Sequence, residues 1–192
     1  MESKTVKEGR KVRYTKKVLR DSLIELMRKK PITQITIKEI CDLADIGRTT
    51  FYAHYNDQYD LLKNIQDETF AHFEEMHEFP FDVKPSQREV MAHGEKMADY
   101  IAQNKDSIQV LLSENGDISF QKRFVAKFVN NGKKAIKRIF KEPVDEKTER
   151  AYSVFFVHGT IALLQDWLKN DMDIPISEMT KIMFRLLDGV WR

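Results

Sequence analysis

The sequence contains little of what disulfide-bonded, β-rich or membrane-spanning proteins require. Its 192 residues include 7 glycines, 5 prolines and one cysteine, Cys41. A single cysteine excludes an intramolecular disulfide and a multi-cysteine metal site. No apolar run approaches the roughly 18 residues of a membrane helix, and no segment sustains strand-like alternation. We therefore expect a helical protein of one large or two small domains, without a membrane partner, in the cytoplasm.

Charge is plentiful in this chain but unevenly distributed. Lysine and arginine total 32 and aspartate and glutamate 30, for a net charge of +2. Residues 1–30 alone carry 11 basic and 4 acidic side chains. A basic end on a nearly neutral protein indicates an anionic partner for that end, with a solvated tail as the alternative.

Apolar residues recur with helical spacing nearly throughout, and glycines, prolines and polar stretches separate the periodic segments. The only stretch with the composition of a linker lies near residues 79–85. Because every periodic segment has the helical period, the predicted fold class is all-α. The predicted helices cover residues 14–29, 37–43, 48–55, 58–77, 87–103, 106–112, 119–140, 146–168 and 178–190.

Two short predicted helices and a tight turn between them occupy residues 36–55. Thr36 and Glu39 have the spacing of a capping box, which would start the first of these helices. Asp45 can adopt the left-handed backbone conformation that the turn needs. Such a pair of helices is typical of a helix-turn-helix unit, whose second helix enters the DNA major groove.

The second helix of this unit, RTTFYAHY, has an unusual composition for a core helix. Only Phe51 and Tyr55, four residues apart, turn to one side as anchors. The remaining surface carries hydrogen-bond donors and no acid, which suits the acceptors of base edges and phosphates. These outward donors are Arg48, Thr49, Tyr52 and His54.

The stretch ITIKEICDLADIGRTTFYAHYNDQYDLL resembles the DNA-binding signature of tetracycline-repressor (TetR) family regulators, which have a Thr-x-x-Glu-Ile start, a tight turn, Thr-Phe-Tyr-x-His and a Leu-Leu pair. The resemblance covers about residues 13–65. It implies a three-helix DNA-binding domain with a basic N-terminal arm over residues 1–60. A long fourth helix would join it to a helical ligand-sensing and dimerisation domain over residues 61–192, giving about nine helices in all.

The resemblance also assigns roles to single residues. Asp45 and Gly47 depart from the family, which usually has glycine and serine there, and Gln58 stands where lysine is common. Arg10, Lys11 and Arg13 would form either a minor-groove arm or a disordered arm. The residues implied in DNA binding are Thr36, Lys38, Arg48, Thr49, Thr50, Tyr52, His54 and Gln58.

In the resembled family the last two long helices pair with those of a second subunit. The candidate interface residues here are Leu164, Trp167, Met179, Ile182, Met183 and Leu186, with the core of one subunit as the alternative. Residues 87–168 contain aromatic side chains with a few polar groups among them, a composition that is typical of small-molecule sites. The alternative is that these aromatic residues, which recur at helical spacing, simply form the hydrophobic core. The candidate ligand-binding residues are His93, Met97, Tyr100, Phe124, Phe128, Phe155 and His158.

These features favour a homodimeric repressor that a small apolar or amphipathic effector releases from inverted-repeat double-stranded DNA. A regulator on the same fold whose second half binds a protein is the alternative. An enzyme is not expected, because no carboxylate pair, nucleophile–base pair or phosphate-binding glycine loop is present, and we expect no cofactor. A metal cluster among His72, Glu74, Glu75 and His77 is weaker than the alternative of a solvated helix face.

Overall fold

The computed structural model describes residues 9–76, 87–126 and 145–190. These residues contain nine α-helices, one short 3-10 turn and no strand, which confirms the predicted all-α class. The predicted linker near residues 79–85 lies outside the described residues, as does the part of the predicted 119–140 helix that follows residue 126. The helices are α1 Arg10–Met27, α2 Ile37–Ala44, α3 Arg48–Tyr52, α4 Gln58–Met76, α5 Gln87–Gln103, α6 Lys105–Leu111, α7 (118–126), α8 Glu146–Lys169 and α9 Ile176–Val190.

The chain divides into two compact units, Met1–Glu68 and Thr69–Arg192, and the division falls inside α4. In the first unit α1 packs against α2, and α2 packs against α3. Removing apolar surface from water is the main favourable contribution to such a core. The fully buried side chains here come from all four helices of the unit: Leu19, Leu23, Met27, Ile40, Phe51 and Leu61.

Helix α1 begins earlier than the sequence pattern predicted. Gly9 has an extended backbone and precedes the first helical residue, and Arg13 N donates to Gly9 O over 3.1 Å. Arg10, Lys11 and Arg13 are therefore helical, and the prediction that they form an arm is wrong. Nothing after Gly9 breaks a helix, so the helix continues outward beyond its buried part.

In the second unit α5 packs against α9, and α6 packs against α8. Two glutamine side chains link α6 and α8, because each donates a hydrogen bond to a backbone carbonyl at the end of the other helix. Gln109 Nε2 donates to Leu168 O over 3.3 Å, and Gln165 Nε2 donates to Leu112 O over 2.6 Å. These bonds satisfy carbonyls in the last turns of helices, where the helix itself supplies no partner.

The predicted start of the helix at residue 146 is confirmed. Asp145 Oδ1 accepts hydrogen bonds from Lys147 N at 2.9 Å and from Thr148 N at 3.1 Å, so this residue is the N-cap of α8. These bonds favour the carboxylate, and the pKa of Asp145 is accordingly lowered, mainly by Thr148. Within the described parts of the chain, no helix has the length and apolarity needed to cross a membrane.

Candidate nucleic-acid interface

The N-terminus of α2 is closed by the capping box that the sequence predicted. Thr36 Oγ1 accepts from Glu39 N at 3.3 Å, and Glu39 Oε2 accepts from Thr36 N at 3.0 Å. Lys30 Nζ donates to Glu39 Oε1 over 2.7 Å. Lys30, and after it Thr36, holds the pKa of Glu39 at about 2, so this carboxyl stays ionised. Sequence spacing did not reveal Lys30, because it lies nine residues away across a turn.

The turn between α2 and α3 has the predicted backbone conformation. Asp45 is left-handed, with φ 52°, and Ile46 N donates back to Cys41 O over 3.0 Å. Gly47 is the extended N-cap of α3 and makes no side-chain capping bond. A Cβ atom built on Gly47 would meet nothing within 4 Å, so the position opens to solvent.

As predicted, two aromatic residues anchor helix α3: Phe51 inside the helix and Tyr55 shortly after its end. Phe51 is completely buried, Tyr55 is nearly so, and their ring centroids lie 5.9 Å apart. The Tyr55 hydroxyl donates to Asn64 Oδ1 on α4 over 3.3 Å, a support that the sequence pattern did not indicate. The helix ends at Tyr52 and not at Tyr55, although His54 N and Tyr55 N still donate to Phe51 O.

The opposite face of α3 consists of exposed hydrogen-bonding side chains. Tyr52 is 57% exposed, and its ring packs edge-on against Phe51 at 5.7 Å, which orients the phenol outward. The helix contains no acidic residue. Such a face can donate hydrogen bonds to base-edge acceptors and to phosphates. Of the remaining residues of 48–58 proposed from the sequence, Arg48, Thr49 and Thr50 are exposed, and His54 and Gln58 are half-buried.

The two predicted contacts at the start of α2 are exposed but already engaged. Lys38 Nζ lies 2.6 Å from Asp42 Oδ2 in an exposed ion pair. The Thr36 hydroxyl donates to Glu39 Oε2 over 2.9 Å. An external anion would therefore have to compete with Asp42 for Lys38 and with Glu39 for the Thr36 hydroxyl.

Cys41 lies on the buried side of α2. Its side chain is buried, and burial raises the pKa of the thiol, so the reactive thiolate is disfavoured. The structure therefore agrees with a packing role.

Five aromatic side chains of the second unit pack on one another, and we call them the aromatic cluster. Phe73 and Phe124 are edge-on at 5.0 Å, and Phe73 and Tyr100 are edge-on at 5.5 Å. Phe73, Phe120 and Phe124 are buried. The Arg123 guanidinium lies 4.9 Å above the Phe70 ring, a favourable cation–π distance. The cluster comprises Phe70, Phe73, Tyr100, Phe120 and Phe124.

The cluster contains two of the predicted ligand-binding residues, Tyr100 and Phe124. His93 and Met97 are half-buried on α5, and burial, followed by Lys96, lowers the pKa of His93. Phe128 lies outside the described residues.

Phe155 and His158 do not lie in the interior of the chain. Phe155 is 68% exposed, and His158 is also exposed on α8. The neighbouring Gly159 is exposed, and a Cβ atom there would meet nothing within 4 Å. These residues therefore line no interior site within the described chain.

The candidate dimer residues fall into two groups. Trp167 and Met179 are each 3% exposed, and Trp167 Nε1 donates to Ile174 O over 2.8 Å. Both belong to the chain's own core, which is the alternative that the sequence left open, and they offer no area to a partner. Leu164, Ile182 and Met183 are half-buried and Leu186 is 55% exposed.

The weak metal cluster considered from the sequence has little geometric support. His72 Nδ1 lies 3.7 Å from Glu75 Oε2, and both side chains are exposed. Glu74 is exposed too, and His77 lies outside the described residues. No group of three metal-ligating side chains occurs in the part of the chain that the structure describes.

Known proteins resemble this chain along most of its length. The TetR-type family described as "Transcriptional regulator C-terminal region" matches residues 88–189. A TetR transcriptional regulator from Streptococcus agalactiae 2603V is 24% identical, with a TM-score of 0.63 over 95% of this chain and 97% of that one. FadR from Bacillus subtilis, in complex with stearoyl-CoA, is 17% identical, with a TM-score of 0.61 over 89% and 96%.

The dihydroxyacetone kinase operon activator DhaS is 16% identical, with a TM-score of 0.55 over 92% of this chain and 96% of that one. At these identities the similarity to the three solved structures concerns the fold alone. Among curated proteins, none is significantly similar in sequence.

Proposed function

The chain belongs to the TetR family of transcriptional regulators, and from that premise we propose that it is a homodimeric repressor of an inverted-repeat operator. A small apolar or amphipathic effector would release it from the DNA. The observation that carries this proposal is the outer face of α3, which is exposed, rich in donors and free of acids, above a buried Phe51.

In this proposal α3 enters the major groove. Arg48, Thr49 and Tyr52 approach base edges and phosphates, and Thr50 and His54 hold phosphates. Two subunits would place their α3 helices about one DNA turn apart, roughly 34–36 Å, which requires an inverted repeat.

The proposal is tested with Tyr52→Ala and Thr50→Ala. Each should weaken binding to a duplex selected from a random pool by about 1–3 kcal/mol without changing the melting temperature. Thr33→Ala, an exposed threonine of the same unit, is the matched control. Fluorescence anisotropy at several salt concentrations measures the affinity. Binding that does not weaken as salt rises would contradict the proposal, because phosphate contacts release counterions.

We propose that the subunits pair through exposed apolar side chains of α8 and α9. Val154 is 41%, Phe155 68% and Leu186 55% exposed, an unusual amount of surface for large apolar residues on two helices. Leu164, Ile182 and Met183, all half-buried, would complete this surface. Trp167 and Met179 would support it from within the core.

For the effector, an amphipathic acyl compound is the class we propose to test first, since the similar FadR structure holds stearoyl-CoA. Its binding would shift the population between DNA-competent and DNA-incompetent states. Helix α4 runs from the first unit into the second and is the continuous element available to connect them.

A protein partner in place of the effector is the second candidate. It is favoured by the aromatic cluster, in which Phe73, Phe120 and Phe124 are packed by one another and buried. The similar DhaS is an operon activator. Native mass spectrometry with fatty acids and acyl-CoA of graded chain length separates the candidates. A stoichiometric complex that also lowers DNA affinity supports the effector, and absence of binding at every length favours the partner.

A further inference from the structure

The first two turns of α1 differ from the rest of that helix in burial. Among residues 10–17 only Thr15 is buried. The last ten residues bury Leu19, Ser22, Leu23, Ile24 and Met27. Most helical stability in proteins comes from packing of an apolar face. The start of α1 therefore has little packing to hold it and presents most of its side chains to solvent.

These exposed side chains are basic, and they follow helical spacing on one face. Arg10, Arg13 and Lys17 occupy positions i, i+3 and i+7, and Tyr14, which is 65% exposed, lies among them. No acidic residue occurs between Arg10 and Arg20. We call Arg10, Arg13, Tyr14 and Lys17 the α1 basic face.

Ion pairing separates this face from other basic residues of the same unit. Arg20 contacts Glu68 at 2.6 Å, Lys30 contacts Glu39 at 2.7 Å and Lys63 contacts Asp67 at 2.5 Å. Among the described residues no acid pairs with Arg10, Arg13 or Lys17. Within the described chain, the cations of this face are thus available to an external anion.

In the free protein these cations lie at the N-terminus of a helix, where positive charge is destabilising. A helix N-terminus bears a partial positive charge, so cations in its first turns are destabilising and acids are stabilising. Helix α1 has no acid in its first turn and begins with two basic residues, Arg10 and Lys11. A polyanion lying along this face would remove the repulsion, because its charge offsets both the side chains and the helix end.

We propose that the α1 basic face binds the phosphate backbone of the operator, as a second contact surface besides α3. The inference rests on the proposed DNA-binding function and extends it. From Arg10 to Lys17 the helix rises about 10 Å at about 1.5 Å per residue. One DNA strand rises about 3.4 Å per phosphate along its axis, so about 10 Å of axis contains about three phosphate intervals and at least one phosphate for each of the three cations. The face contributes affinity and no base preference, and the Tyr14 hydroxyl adds one donor.

The test is the triple variant Arg10→Gln, Arg13→Gln, Lys17→Gln. The logarithm of the association constant should depend less steeply on the logarithm of salt concentration, by about 0.9 for each phosphate that the variant no longer neutralises and about 2.7 for each subunit. Affinity should fall by the same factor for the selected operator and for an unrelated duplex. The thermal midpoint of the free protein should stay unchanged or rise, because cations leave the helix N-terminus.

The matched control is Arg28→Gln, Lys29→Gln, Lys63→Gln. It removes the same charge from the same unit, but at exposed cations that already pair with Glu25 or Asp67. Its salt dependence should stay close to that of the unmodified protein.

Three outcomes are separable. A lower slope in the α1 variant than in the control supports the proposal. Equal slopes in the two variants, with strong salt-dependent binding by the unmodified protein, overturn the α1 proposal and leave the proposed function intact; an acidic protein would then be the occupant to test. If the unmodified protein binds no DNA, the proposed function fails together with this inference.

Discussion

Replacing Gly94 with alanine should overpack the contact between α5 and α9. A Cβ atom built on Gly94 would lie 2.7 Å from Thr180 Cγ2, well inside van der Waals contact. Thr180 is buried and cannot easily rotate away, because it is β-branched and its Oγ1 donates to Ile176 O over 2.9 Å. Either the helices separate slightly or the threonine leaves its rotamer.

Two opposing terms set the size of the effect. Alanine gains about 1 kcal/mol over glycine inside a helix, and overpacking typically costs about 1–3 kcal/mol. The expected net loss in the free energy of unfolding is therefore about 0–2 kcal/mol. Thr180→Ser alone keeps the hydroxyl and should cost about 1 kcal/mol, for one buried methyl group.

The double variant separates the two terms. In Gly94→Ala, Thr180→Ser the new Cβ atom enters the space that the Thr180 methyl group occupied, so stability should return to at least that of the unmodified protein. The expected coupling is about 1–3 kcal/mol, measured by urea unfolding at fixed protein concentration. Additivity of the two single changes within about 0.5 kcal/mol would refute the predicted clash.

Three further changes test other parts of the structure. Asp45→Asn should change the free energy of unfolding by no more than about 0.5 kcal/mol. It should strengthen DNA binding at low salt, because a negative charge leaves the turn before α3, and anisotropy should show this gain shrinking as salt rises. An unchanged affinity would place Asp45 away from the DNA. Because Lys30 and Thr36 lower the pKa of Glu39 to about 2, the contribution of Glu39 to stability is present above about pH 4.5 and is lost as pH falls towards 2. In Glu39→Gln the melting temperature should therefore depend less on pH between about 2 and 4.5. A pH dependence equal to that of the unmodified protein would contradict this role of Glu39. Leu186→Asp should convert the proposed dimer to monomers in sedimentation, whereas Arg185→Asp at the neighbouring exposed position should not. A dimeric Leu186 variant would exclude this face as the interface.

The local features of the fold were predictable because they depend on neighbours in sequence. The capping box of Thr36 and Glu39, the left-handed Asp45 and the N-cap Asp145 each involve residues within three or four positions of one another. The α5 boundaries predicted from periodicity agree with those observed, because apolar spacing and flanking polar stretches mark both ends. On α3 the anchor Phe51 and the exposed Tyr52 were distinguished by spacing alone.

Long-range features were not predictable in the same way. Periodicity predicted a helix over residues 146–168 but could not separate Trp167, which is in the core, from Phe155, which is exposed. That difference depends on which neighbouring helix covers each side of α8. The pairing of Lys30 with Glu39 likewise required the turn after α1 to be formed.

The sequence by itself determined the helical class, the helix-turn-helix unit and the donor-rich face of α3, because those follow from spacing, capping and residue type along one chain segment. Only the tertiary structure decided which apolar residues remain exposed, that Arg10 and Arg13 lie on a helix, and which cations are paired. Burial and ion pairing depend on contacts between segments distant in sequence, and the same side chain satisfies the same local pattern whether it is covered or not.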